Sequence, residues 1–179
     1  MNFSSLIRWI YCLPISWMLI FSGFGSLAFF RLRGALLPRR LWKVFCVLCL
    51  LIWVAVVLQA TLLGRSPEPA SPVPEPLFQS YRKLLNGDNG EIFRSNLMNI
   101  FLFFPAGLLL SQLMPRVRHP WLCCAGATAM LVLFSLGIEY LQYHCNLGRA
   151  EADDVLHNGL GAFLGALLAH LNFQNVRNE

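Results

Sequence analysis

Apolar residues in this chain run in long blocks rather than at the two-residue or three-to-four-residue intervals of a water-soluble fold. Five blocks approach the roughly 20 residues a helix needs to cross the hydrocarbon core of a bilayer. They are residues 9–30, 41–63, 97–114, 121–143 and 155–173. The pattern predicts an all-α fold, a polytopic membrane bundle of about five transmembrane helices. The first block is too long for the hydrophobic region of a secretory leader. Its middle is aromatic and no small-residue cleavage site precedes Arg31, so it reads as a span. The fifth is the least apolar. Glycine and alanine make up much of it, and Gly161 and Gly165 form a GxxxG face suited to packing on protein rather than lipid. In the third block, Pro105 and Gly107 within IFLFFPAGLLL predict a bend around neighbouring helices.

The segment between the second and third blocks differs in kind. SPEPASPVPEP predicts extended chain, residues 77–85 a short interfacial helix, and residues 86–90 a turn. Charge then orients the bundle. Arg31, Arg33, Arg39, Arg40 and Lys43 lie between the first two blocks with no acid among them, and Arg116 and Arg118 lie between the third and fourth. Both loops should be cytoplasmic. The N-terminus, the proline-rich segment and residues 146–153 then face outward, and the C-terminus faces inward, with Arg8 at the outward N-terminus against the trend.

Composition agrees with this picture. Of 179 residues, 56% are hydrophobic and 13% charged, where a soluble domain carries about a quarter charged residues. The net charge of +5 would suit nucleic acid, but the basic residues stand where cytoplasmic anchors belong, so no nucleic-acid binding is expected. Cys12, Cys46, Cys49, Cys123 and Cys124 lie inside apolar blocks and read as small hydrophobes. Cys145 alone is near a boundary, and the CxxC spacing of Cys46 and Cys49 falls mid-block without further ligands. No disulfide, metal-thiolate site or cofactor is expected.

The polar residues within or beside the blocks collect on the outward side. Arg65 ends the second block, and Asn96 and Asn99 open the third. Glu139 and Gln142, three residues apart, share a helical face near the end of the fourth. Arg149 follows in the loop, and Asp153, Asp154, His157 and Asn158 begin the fifth. A charge inside a membrane helix costs about 3 kcal/mol, so Glu139 must be paired, hydrated or protonated. Arg65 and Arg149 stand at the right depth to pair it. Each residue also has a structural reading. Asp153 and Asp154 are ordinary helix-start residues, Asn96 and Asn99 can bond between helices, and Glu139 can form an ion pair. His144 and His170 read as interfacial and inert.

These residues also carry a resemblance. NLMNIFLFFPAGLLL from Asn96 and SLGIEYLQYHCNLGRAEADDVLHNGLGAFLGALL from Ser135 resemble the VanZ family of membrane proteins. That family's pattern is an Asn-rich start to an apolar helix with a Phe-x-Pro-x-Gly core, an Ile-Glu-x-x-Gln helix, an Arg, and an Asp-Asp-x-x-x-Asn-x-x-Gly helix. The matching positions are Asn96, Asn99, Pro105 and Gly107, then Glu139, Gln142 and Arg149, then Asp153, Asp154, Asn158 and Gly161. TLLGR at Thr61 to Arg65 is similar to the end of the family's preceding helix. The resemblance covers about half the chain, with residues 1–50 outside it, 51–173 forming a VanZ-like membrane domain and 174–179 a short tail. It implies a multi-pass protein of a bacterial inner or plasma membrane. It also implies an association with low-level teicoplanin resistance, without a settled biochemical activity.

Three functions are compatible with this reading. A binding protein would hold the polar head of a membrane lipid, a lipid-linked envelope intermediate or a lipid-tailed glycopeptide through Arg65, Asn96, Asn99, Glu139, Gln142, Arg149, Asp153, Asp154 and Asn158, the arginines meeting an anionic group. An enzyme would use Glu139 and Asp154 as an acid–base pair, or to hold Mg²⁺ against a lipid-linked phosphate. No nucleophile–base pair is evident, and His157 is the only nearby base that titrates near neutrality. In a third reading the cluster locks the helices together, and function lies in a partner protein.

Overall fold

The computed structural model describes residues 25, 38–63, 65, 74–87, 90–115, 120–148 and 150–175. Within them lie α1 (Arg39–Leu58), α2 (Gln79–Leu85), α3 (Gly90–Leu113), α4 (Pro120–His144) and α5 (Ala152–Asn175). A π-helical turn, Gln59–Leu63, extends α1. No strand occurs among the described residues, only one isolated bridge. The block expected at 9–30, apart from residue 25, and the proline run at 66–73 lie outside them.

Three of the described segments are long and apolar enough to cross a membrane: Arg40–Leu63, Gly90–Leu113 and Trp121–His144. Their exteriors fit lipid. From α1, Leu41, Val44, Leu48, Leu51 and Ile52 are all exposed, a contiguous apolar surface that water would penalise and acyl chains solvate. α5, expected from the block at 155–173, matches α3 at 24 residues. It falls short in apolarity because Asp153, Asp154, His157 and Asn158 occupy its first two turns.

Contacts along the helices fix their directions. Trp53 of α1 donates from Nε1 to the carbonyl of Leu102 at 2.7 Å, while Trp42 and Cys46 pack on Leu109, so α1 and α3 run antiparallel. Asn158 meets Ser135 and Cys124 meets Ala166, so α4 and α5 are antiparallel too. α3 and α5 run parallel, with Gly161 at Ile100 and Gly165 at Phe104. The end of α1, the start of α3, the end of α4 and the start of α5 therefore meet at one end of the bundle. A core of Val57, Phe103, Ala106, Leu131, Ile138 and Ala162 lies beneath them.

The α3–α5 contact is backbone on backbone. A Cβ built on Gly161 would lie 2.1 Å from the Ile100 carbonyl oxygen, one on Gly165 2.0 Å from that of Phe104, and one on Gly107 2.0 Å from that of Ala162. Small residues permit this approach where lipid offers no hydrophobic drive for helices to associate. Gly107 thus serves close packing, and α3 runs as one helix through Pro105. Proline leaves the carbonyl four residues back without its usual donor. The Trp53 hydrogen bond to Leu102 falls one residue further on and ties α1 to α3 beside the weakened turn.

Candidate functional site

At the meeting end, the segment before α3 folds back onto the start of α5. Glu75 forms a single parallel bridge with Glu151: its N–H donates to Ala150 at 2.9 Å and its carbonyl accepts from Ala152 at 3.2 Å. Asp153 fixes the next turn. Its Oδ1 accepts from the Phe78 N–H at 2.5 Å, and its Oδ2 accepts from the Ser80 N–H at 2.8 Å and the Ser80 hydroxyl at 2.6 Å. Phe78 is left-handed, with φ 67°, so the carboxylate also compensates an unfavourable backbone conformation at the start of α2. Tyr81 stacks on His157 and its hydroxyl lies 2.9 Å from Nε2. Asn96 reaches the Ser80 hydroxyl at 3.4 Å, and Lys83 pairs with Glu75 at 2.5 Å. Sequence reasoning found the short helix but neither Ser80 nor Tyr81. Nothing in QSYRKLL marks a residue that will meet a carboxylate more than seventy positions away.

Beneath this segment two amides join the helices. Gln142 donates from Nε2 to the Thr61 carbonyl at 3.0 Å, and Asn158 donates to the Ser135 hydroxyl at 2.8 Å. Asn158, Ser135 and Gln142 are all buried. Because Thr61 offers a carbonyl, the Gln142 amide orientation is fixed by chemistry, and its Oε1 is left without a partner among the described residues. Thr61 turns its own hydroxyl back to the Val57 carbonyl at 2.8 Å, within the π-helical region.

Glu139, Asp154 and Arg65 remain. Glu139 is 8% exposed, and its Oε2 accepts the Glu151 N–H at 2.9 Å. Arg65 is exposed at the rim, where its Nη1 donates to the Leu147 carbonyl at a long 3.4 Å. It lies over Gly148, whose φ of 129° calls for glycine. Asp154 is half-buried and feels Glu139, Glu151 and Arg65 as charges.

Asp153 and Asp154 occupy the first turn of α5, ahead of its apolar run, and their environments differ. Burial opposes the charge of Asp153, but the Ser80 and Phe78 donors overcome it and hold the carboxyl below its usual range. Burial pushes Asp154 up to about 7, helped by the like charges of Glu139 and Glu151 and opposed by Arg65 and Asn99. Adjacent carboxylates are thus set apart, one charged at neutral pH and one able to carry a proton there. Among the described residues no three His, Cys, Asp or Glu side chains converge as metal ligands.

Of the residues expected at the site, the structure brings Arg65, Asn96, Asn99, Glu139, Gln142, Asp153, Asp154 and Asn158 to one end of the bundle. Asn96, Gln142, Asp153 and Asn158 each give at least one polar atom to a neighbouring element. Arg149 lies outside the described residues. A family model described as VanZ/LLP1 matches residues 44–173. The chain is also 29% identical over 87 residues to "Protein VanZ" of Enterococcus faecium, across 49% of this chain and 51% of that protein. It therefore spans about half the length of this curated relative. No solved structure matches the chain.

Proposed function

The chain belongs to the VanZ/LLP1 family and is a multi-pass membrane protein, and we propose that its polar end faces outward and binds the head of an envelope lipid or of a lipid-tailed glycopeptide. One observation carries the reading. Glu139 and Asp154 converge beside Arg65 at a bundle end where Asn96, Gln142, Asp153 and Asn158 are already engaged with neighbouring elements. A structural lock needs no guanidinium exposed at the rim, where among the described residues its contact is a long hydrogen bond to Leu147. In this proposal Arg65, with Arg149 in the adjoining loop, meets an anionic group of the head, for which guanidinium geometry is suited. Glu139 and Asp154 accept from hydroxyls, and the tail lies along the apolar helices in the membrane.

A second reading rests on Asp154. A carboxyl with a midpoint of about 7, set partly by the charge of Glu139, is the kind of group that gives and takes protons at neutral pH. Glu139 and Asp154 would then perform acid–base chemistry on a lipid-linked substrate.

Native mass spectrometry of co-purified lipid separates these readings. Removing one charge-assisted contact should weaken retention of a specific lipid by roughly tenfold or more. The Glu139→Gln protein, still helical and monodisperse, should therefore lose a lipid that the wild type keeps. Bulk phospholipid alone, equal in both proteins, would end the binding reading. Asp154→Asn distinguishes catalysis: under binding, any lipid the variant still retains, in whatever amount, has the same mass as that of the wild type. An altered lipid in the wild type, with its precursor in the variant, would favour the enzyme.

A further inference from the structure

The buried side of α2 is accounted for by Asp153 and His157. Its opposite side is not. Phe78 just ahead of α2, Tyr81 within it and Leu85 at its end all leave apolar surface exposed, although one side of the Tyr81 ring meets His157. They are 54%, 41% and 88% exposed, and Leu77 beside them is 46% exposed. Arg82 adjoins this stripe and is exposed as well. For a helix of seven residues, this is a large apolar surface to hold on the outside, and the fold holds it firmly. The Asp153 hydrogen bonds and the Glu75–Glu151 bridge act on the other side, and the Tyr81–His157 contact ties the stripe's own tyrosine to α5.

The position of the stripe identifies what covers it. α2 sits at the end of the bundle where Arg40–Leu63 finishes and Gly90–Leu113 begins, which is the depth of lipid headgroups on that side. Phe93, in the first turn of α3, is exposed as well, at 51%. An apolar stripe flanked by a cation, with an aromatic ring whose hydroxyl is engaged on the protein side, has the chemistry of an interfacial helix.

We propose that α2 is a membrane-surface anchor: Leu77, Phe78, Tyr81 and Leu85 embed among the headgroups and first methylenes of the leaflet on the polar-cluster side, and Arg82 contacts a lipid phosphate, preferring anionic lipid. The proposal does not depend on what the cluster binds. It gives Asp153 a second consequence, since a segment pinned at one side to α5 and at the other to the leaflet holds the mouth of the cluster at headgroup depth.

The test places p-benzoylphenylalanine at Leu85 in the full chain, reconstituted in nanodiscs of equimolar phosphatidylglycerol and phosphatidylcholine. On irradiation the protein should gain the mass of one phospholipid, with phosphatidylglycerol adducts in at least threefold excess. That excess should fall to parity when Arg82→Gln is added. Absence of lipid adducts, or adducts to a second copy of the chain, would overturn the anchor. Lipid adducts with no headgroup preference, or a preference untouched by Arg82→Gln, would overturn the phosphate contact.

Discussion

Gly161→Val should abolish recovery of monodisperse folded protein from detergent, while Gly137→Ala should leave both yield and melting temperature close to wild type. Both glycines lie within long helices, where valine and alanine each outrank glycine, so helix propensity predicts a loss at neither site. Space does. Nothing lies within 4 Å of a Cβ built on Gly137, whereas one on Gly161 falls 2.1 Å from the Ile100 carbonyl oxygen. Ordinary carbon–oxygen contacts are about 3.3 Å or longer, so even alanine forces α3 and α5 apart by roughly an ångström. Separation would also open the contacts at Gly165 and Gly107, which lie against the same pair of helices. Overpacking at one site costs about 1–3 kcal/mol, and three backbone contacts that must open together place valine at or above the top of that range. Gly161→Ala should be intermediate. Size-exclusion chromatography and thermal unfolding by circular dichroism read the series, and a Gly161→Val protein melting like wild type would refute the close-packed interface.

The three described spans and this interface were legible because each is written as a local pattern. Length and apolarity mark a membrane helix without knowledge of its neighbours, and glycines four apart mark one face of α5. The site was legible only as a gathering of polar residues at one end. An asparagine in an apolar helix looks the same in sequence whether it faces a ligand or a serine on the next helix. Asn158 therefore read as a ligand contact, although its amide meets Ser135. The same holds for Gln142 and Thr61. Least legible was the bridge between Glu75 and Glu151. A pairing of single residues has no periodicity, and its members are separated by three helices, so nothing local announces it.

Asp153 is where the two readings of a polar residue separate most sharply, and Asp153→Ala should release the segment that carries α2 without unfolding the bundle. The carboxylate is 2% exposed and accepts from Phe78 N–H, Ser80 N–H and the Ser80 hydroxyl. Truncation leaves these donors buried without an acceptor, at roughly 3 kcal/mol or more in total. Hydrogen exchange at the Ser80 amide should accelerate by about a hundredfold. Amides in the middle of α3 and α4, held by their own helices, should exchange as before. Asp153→Asn keeps one acceptor oxygen and should accelerate exchange by about tenfold. The pH dependence follows from the depressed pKa of this group. A carboxyl lowered in the folded state contributes stability that is present above its ordinary range and is lost as pH falls through the lower folded value. Wild-type protection of Ser80 should therefore fall under acid, and that acid-dependent fall should be absent from Asp153→Asn. If lipid retained by Asp153→Asn matches wild type while Glu139→Gln loses it, Asp153 holds the segment in place and the ligand contacts lie with Glu139 and its neighbours. If both variants lose lipid equally while the Ser80 amide stays protected, Asp153 touches the ligand itself and the division of labour drawn from its hydrogen bonds is wrong.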